Sequence, residues 1–243
     1  MALSPAARPG PKLSASQLAD YLVSPTPVGQ MGILKQAKYP ATGRPLVIQY
    51  QHARRAISAC LQSRSTMNRI VADAVVSLEQ RRDDPTNSPL VRDDAIRSIA
   101  VIETFQRGVN AFDIGNAIYE APPNPSDPLF INGVEISVWP DAIARGTTRG
   151  DEVRVGEVFI RCTIGQTGDA AENRRSDANG HLATIAHMHA VQTYSDIATP
   201  YAPVSMVIDV PRGAVIRGTT NMARRVANIE MACSMIAAVW PMV

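Results

Sequence analysis

Two stretches decide the fold of this 243-residue chain, LFINGVEISVW at residues 129–139 and EVRVGEVFIRC at residues 152–162. In both stretches apolar and polar side chains largely alternate, which is the pattern of β-strands with one buried face. The dipeptide Asn132-Gly133 is a strong signal for a tight hairpin turn, and a polar, glycine-containing segment separates the two stretches. We therefore predict an antiparallel meander of three strands in the second half of the chain.

Helical periodicity surrounds this meander on both sides, because apolar residues recur there at intervals of three and four. The predicted elements outside the meander are a short capped helix at 13–22, helical segments at about 49–82 and 91–119, a helix at about 180–197, a buried strand at 204–210, a short strand at 214–217 and a final helix at about 219–240. Residues 28–48 are predicted to be irregular because they contain several glycines and prolines.

This order of elements predicts an α/β (α+β) fold, with a central mixed sheet that contains the meander and is flanked by helices. We divide the chain into a flexible Pro-, Ala- and Gly-rich tail at 1–12, a mostly helical region at 13–120 and an αβ core at 121–243. The sequence contains no internal repeat.

Composition excludes several classes of protein. Hydrophobic residues make up 45% of the chain and charged residues 19%, so it can bury a core. No window approaches the roughly 18 consecutive apolar residues of a transmembrane helix, and the N-terminus has no apolar signal segment. Cys60, Cys162 and Cys233 lie far apart, which argues against a zinc site or a disulfide framework. We therefore expect a cytoplasmic protein with no membrane partner.

The basic residues are almost all arginines. Of the 24 basic residues only Lys12, Lys35 and Lys38 are lysines, and the other 21 are arginines. The formal net charge is only +2, so a nucleic-acid partner requires a local arginine patch. The candidate nucleic-acid-binding residues, grouped in three segments, are Arg54, Arg55, Arg174, Arg175, Arg224 and Arg225.

A pair of carboxylates is the main candidate for catalysis. Asp141 and Glu157 lie on neighbouring predicted strands, and Glu157 shares a strand face with Phe159 and Arg161. Two carboxylates at a sheet surface are typical ligands of Mg²⁺ or Mn²⁺, and such a metal can activate water for phosphodiester hydrolysis. Arg161 could then neutralise the charge that develops in the transition state.

Pro140-Asp141, the hairpin and Glu157-Val158-Phe159 resemble the PD-(D/E)xK nuclease superfamily, in particular its RecB-like and lambda-exonuclease branch. This resemblance implies a restriction-endonuclease-like core and a metal-dependent nuclease that acts on nucleic acid, most simply DNA. It also implies that the Val158 carbonyl is a third metal ligand. For a further ligand on a preceding helix it leaves two candidates, His52 and Glu103.

The chain departs from the family pattern at the catalytic lysine, because Phe159 stands at that position. Arg161 shares the same strand face, but an arginine is a poor proton donor or acceptor. Glu152-Val153-Arg154 is a second possible match to the family motif, and it is the weaker one because it lies next to a turn. A degenerate nuclease fold that binds nucleic acid is therefore an alternative hypothesis, and the apolar C-terminal helix suggests a further one, a self-assembling homo-oligomer.

Overall fold

A computed structural model describes residues 7–40, 49–115, 117–147 and 152–243. These residues form helices α1 (Ala15–Val23), α2 (Pro27–Lys38), α3 (Gln51–Gln62), α4 (Met67–Asp83), α5 (Pro89–Gly108), α6 (Asp169–Tyr194) and α7 (Ala223–Val239). They also form strands β1 (Lys12–Ser14), β2 (Ile118–Glu120), β3 (Leu129–Ile131), β4 (Val134–Ser137), β5 (Ala142–Thr147), β6 (Val153–Arg161), β7 (Thr199–Pro200), β8 (Met206–Asp209) and β9 (Ala214–Arg217). The predicted mixed α/β fold is confirmed.

The strands belong to two sheets. The larger sheet has the order β2-β5-β6-β8-β9, with β7 beside β6. The sheet is mixed, because β6 runs parallel to β7 and β8, whereas the pairs β2–β5, β5–β6 and β8–β9 are antiparallel. The smaller sheet has the order β1-β4-β3. The central mixed sheet of the sequence prediction is thus present, with a second sheet beside it.

The prediction of one continuous meander is wrong, because its strands are divided between the two sheets. The β3–β4 hairpin pairs with β1, whereas β5 and β6 form the hairpin at the centre of the larger sheet. The chain crosses from one sheet to the other at residues 138–141. Pro140 lies in this crossing, and a proline cannot donate the backbone hydrogen bond that a continued strand would need. Residues 148–151 of the predicted turn lie outside the described residues.

Helices cover both faces of the larger sheet. Alternate residues of β6 point to opposite sides, so Val158 and Ile160 pack with Ile57 of α3, whereas Phe159 packs with Leu18 of α1. Helices α4 and α5 join the first side, and α6 and α7 join the second. The N-terminal helical region therefore contributes to the cores on both sides of the sheet.

The N-terminal segment follows the sequence prediction in part. Ser14 and Gln17 form a capping box at the start of α1, as the predicted short helix requires. Residues 1–6 of the predicted tail lie outside the described residues, while the Arg8 amide donates to the Lys38 carbonyl and Lys12 begins β1. These contacts hold the second half of the predicted tail against the protein.

Three helices differ from the sequence prediction. Helix α5 ends at Gly108 instead of near residue 119, and Ile118–Glu120 form strand β2. Helix α2 occupies residues that were predicted to be irregular, since Thr26 accepts from the Gly29 amide as N-cap and Pro27 takes the first helical position. Helix α6 begins at Asp169 instead of near residue 180. Its first turn carries Asp169 and Glu172, whose negative charges favour a helix N-terminus.

Gly156 on β6 is the position where the sheet tolerates no side chain. A Cβ atom there would lie 2.4 Å from the Ser205 nitrogen and from the Val204 carbonyl carbon. We expect Gly156→Ala to lower the free energy of unfolding by at least about 2 kcal/mol, because backbone atoms must move to make room. Urea denaturation followed by circular dichroism measures this change.

Gly146 on the partner strand β5 provides the matched control, because a Cβ atom there would have no neighbour within 4 Å. We expect Gly146→Ala to change the unfolding free energy by less than about 0.5 kcal/mol. Equal stabilities of the two variants would contradict the close approach of β6 to residues 204–205.

Candidate nucleic-acid interface

Asp141 lies at the start of the β5–β6 hairpin, and both of its carboxylate oxygens have hydrogen-bond partners. The Arg54 side chain donates to one oxygen at 2.8 Å, and the Ile160 amide donates to the other at 2.7 Å. The Ser58 hydroxyl donates to the Asp141 main-chain carbonyl at 2.6 Å. Burial raises the pKa of Asp141, against the charge and hydrogen bond of Arg54. The residue therefore fastens α3 to the central hairpin.

Glu157 is fully buried and forms its pair with a different part of the chain. Its carboxylate contacts Nδ1 of His189 on α6, and Nε2 of the same ring lies 2.7 Å from the Asp127 carbonyl oxygen. Both ring nitrogens thus face acceptors, which favours the doubly protonated imidazolium. Burial lowers the pKa of His189, but the hydrogen bond and charge of Glu157 outweigh it and the pKa is raised overall. Burial also raises the pKa of Glu157, against the hydrogen bond and charge of His189. Glu157 and His189 form a buried hydrogen-bonded pair between β6 and α6.

The predicted metal ligands do not come together. Ile143, not Asp141, lies opposite Glu157 in the hairpin, and the Val158 carbonyl accepts from the Asp141 amide. His52 lies on α3, where burial and the charge of Arg81 lower its pKa.

The other helical candidate, Glu103, forms an ion pair with Arg107 on α5. Among the described residues no three or more His, Cys, Asp or Glu side chains form a group that could hold a metal ion. In this arrangement the proposed ligand set does not fit a shared Mg²⁺ or Mn²⁺ ion, and the cation stays a prediction.

Arg161 extends from the end of β6 toward α1. Its guanidinium donates to Asp20 at 2.9 Å, and its side chain is only 15% exposed. Phe159, on the same face of β6, is buried in the core that contains α1. Arg161 therefore lies away from Glu157, whose carboxylate is held by α6, but close to the open surface between α1 and the sheet.

Three adjoining cavities follow this surface. A cavity of about 730 Å³ lies between α3 and the proline-rich loop at 121–124. The second, of about 340 Å³, is lined by α1, Tyr50 and the end of β6, and the third, of about 480 Å³, by α1, α2 and the start of α6. Arg54 and Trp139 line the first two cavities, and Asp20 and Arg161 line the last two. These shared walls make the cavities one groove.

The groove is cationic. Among its described lining residues are two carboxylates, Asp20 and Asp141, and five arginines, Arg54, Arg55, Arg161, Arg174 and Arg175. We call this surface the arginine groove. Since arginine outnumbers carboxylate and lysine is missing from the described lining, the groove suits an anion recognised by planar guanidinium groups.

The predicted binding arginines have different surroundings. Arg55 is exposed and Arg174 half-buried, and neither forms an ion pair with another described residue. Arg175 is held by Asp209 and by the carbonyls of Thr163 and Ile164, which indicates a structural role.

The two predicted arginines of α7 lie outside the groove. Arg224 is exposed, while the guanidinium of Arg225 lies against Gly180 of α6. The arginine groove thus brings together four of the six arginines that the sequence proposes for nucleic-acid binding, together with Arg161.

Sequence reasoning missed two features of this region. Trp139 belongs to a predicted strand, but it lies beyond the end of β4 and its side chain is 51% exposed. The buried network of Asp209, Arg175 and Asn179 was missed as well. Its signal is the aspartate that closes an otherwise apolar strand at Met206–Asp209.

Comparison with protein-family models and with curated proteins finds no match to this chain. Within the described ranges, none of the helices combines the length and the apolar character needed to cross a membrane. The interpretation of the groove therefore depends on its own geometry and charge.

The Glu157–His189 pair predicts a pH dependence of stability. Because the pKa of His189 is raised in the folded protein, the pair stabilises fully below the unfolded-state pKa of about 6.5 and loses its contribution as the pH rises through the folded-state value. We expect the free energy of unfolding to decline as the pH rises above about 6.5. Urea titrations at a series of pH values measure the decline, and His189→Gln should be less stable and lack this part of it.

His187 on the same helix is the control. Burial lowers the pKa of His187, so its contribution to the free energy of unfolding changes only below the unfolded-state histidine pKa of about 6.5. His187→Gln should therefore retain the decline above pH 6.5. Identical slopes in the unmodified protein and in His189→Gln would contradict a charged pair.

Proposed function

We propose that this chain binds the sugar–phosphate backbone of a nucleic acid along the arginine groove and does not itself cleave that backbone. The observation that carries the proposal is the run of arginines from Arg55 through Arg54 and Arg161 to Arg174 across three adjoining cavities. Phosphate contacts of this kind give affinity without requiring sequence readout. The proposal corresponds to the degenerate nuclease-fold alternative of the sequence analysis.

The internal ion pairs of the groove support this function. Arg54 uses Nε to hold Asp141, and Arg161 uses one terminal nitrogen to hold Asp20. Each guanidinium keeps further N–H groups, which a phosphate can accept from without breaking the internal pair. The two arginines are thus fixed in position before a ligand arrives, which reduces the entropy lost on binding.

The same contacts argue against metal-dependent hydrolysis as the first choice. A two-carboxylate metal site would require Asp141 to release Arg54 and Glu157 to release a buried histidine. Leaving such a buried ion unpaired is costly. Phe159, in place of the family's lysine, also offers no group for proton transfer or charge stabilisation.

Self-association is a separate proposal that a different surface supports. Met231 and Met235 of α7 are 60% and 54% exposed, and Met242 near the C-terminus is 76% exposed. Met231 and Met235 are four residues apart and so lie on one face of α7, and contiguous exposed apolar surface marks an interaction site. Light scattering of the purified chain tests the predicted homo-oligomer, and a mass equal to that of the monomer would contradict it.

Removing charge at both ends of the groove tests nucleic-acid binding. We expect the Arg55→Ala/Arg174→Ala variant to bind a labelled oligonucleotide at least about tenfold more weakly, because each charged hydrogen bond contributes about 1.5–3 kcal/mol. Loss of two phosphate contacts should also reduce the slope of log affinity against log salt by about 1.4 for a single strand. Fluorescence anisotropy at several salt concentrations, in the presence of EDTA, measures both quantities.

Arg69 on α4 supplies the matched control, because it is exposed, forms no ion pair with the described residues and lies outside the lining of the three cavities. Arg69→Ala should bind like the unmodified protein. An unchanged affinity of the double variant would overturn the groove as the binding surface. Cleavage that requires Mg²⁺ or Mn²⁺ and disappears in Asp141→Ala would establish the nuclease hypothesis instead.

A further inference from the structure

Trp139 is a large aromatic side chain that the fold leaves half exposed, at 51%, where the first two cavities of the arginine groove meet. The only other tryptophan of the sequence, Trp240, is buried at 3% exposure. Arg54 lines the same two cavities, so these cavities present a cation as well as the exposed indole. Half-exposed indole next to a guanidinium is a combination that binds flat, anionic ligands such as nucleotides.

The backbone on either side of Trp139 is firmly held. Val138 and Pro140 are both buried, so alternation along the chain turns the indole outward. The next residue, Asp141, is fixed by Arg54 and by the Ile160 amide. The exposed ring is therefore presented on a rigid support, which an aromatic stacking surface requires.

The cavity beside the indole has the character of a base-binding pocket. Its volume is about 730 Å³, and its walls combine apolar residues of the loop at 121–123 with the amides of Gln51 and Asn124. Neither amide side chain hydrogen-bonds to another described residue. Free amides can donate to and accept from the edge of a base.

We propose that Trp139 stacks on an unpaired base and that the ligand of the arginine groove is a single-stranded nucleic acid. This inference rests on the proposed backbone binding and adds the class of ligand to it. Bases inside a duplex are already stacked on their neighbours, so only an unpaired base can reach the indole face. The low aromatic content of 5% does not oppose the proposal, because stacking of one base requires only one suitably placed aromatic ring.

Fluorescence titration of the full chain tests the proposal, using an unpaired oligothymidylate of about twelve nucleotides, a duplex, and an abasic oligomer of the same length. We expect the oligothymidylate to quench Trp139 emission and to bind more tightly than the other two. Trp139→Ala lacks this reporter, so its binding is followed by the fluorescence anisotropy of labelled oligomers. It should bind the oligothymidylate at least about fivefold more weakly, while its affinity for the abasic oligomer is unchanged. Trp139→Phe should retain most of the affinity, because a smaller aromatic ring still stacks.

Phe130→Ala is the control, because Phe130 is 70% exposed but lies outside the lining of the three cavities. It should bind like the unmodified protein. Equal binding of the oligothymidylate and the abasic oligomer, with no loss in Trp139→Ala, would overturn base stacking and leave backbone binding standing. A preference for the duplex would also overturn it, and failure to bind any of the three ligands would overturn both proposals.

Discussion

The hydrogen bonds to Asp141 join three parts of the molecule that are distant in sequence. Through this one residue α3 contacts the start of β5 by Arg54 and Ser58, and the end of β6 by the Ile160 amide. The carboxylate is buried, so its cost of desolvation is offset only while these donors stay in place. This contact helps to fix the position of α3 beside the central hairpin, and with it the wall of the cavity of about 730 Å³.

The same contact determines which chemistry the surface can offer. The resemblance to nucleases implies that Asp141 and Glu157 are metal ligands. In the structure each carboxylate instead pairs with a basic side chain from a helix, and the two helices lie on opposite faces of the sheet. Arg54 of α3 holds the first, and His189 of α6 holds the second. Each carboxylate that could otherwise bind a metal instead holds a helix in place against the sheet. What remains accessible is the outer part of the arginines, which forms a cationic surface.

Local patterns in the sequence predicted most of the elements but not their partners. Alternation identified the strands around Asn132-Gly133, and the capping residue Ser14 identified α1, because these signals act between neighbours in the chain. The division into two sheets depends on β1, which pairs with β4 more than a hundred residues away. In the site, the arginines of α3 were predicted from their grouping, whereas the His189 partner of Glu157 comes from a helix 32 residues later. Only tertiary structure brings such pairs together.

Arginine suits the paired positions of the groove better than lysine does. Arg54 and Arg161 each hold a carboxylate with one part of the guanidinium and keep further N–H groups for the groove. A lysine ammonium is a compact point charge on a flexible chain and cannot divide its donors in a fixed plane between two partners. Internal pairing would then consume the charge that a phosphate needs. At Arg54 the fold therefore anchors a buried carboxylate and still keeps cationic N–H groups at the groove surface.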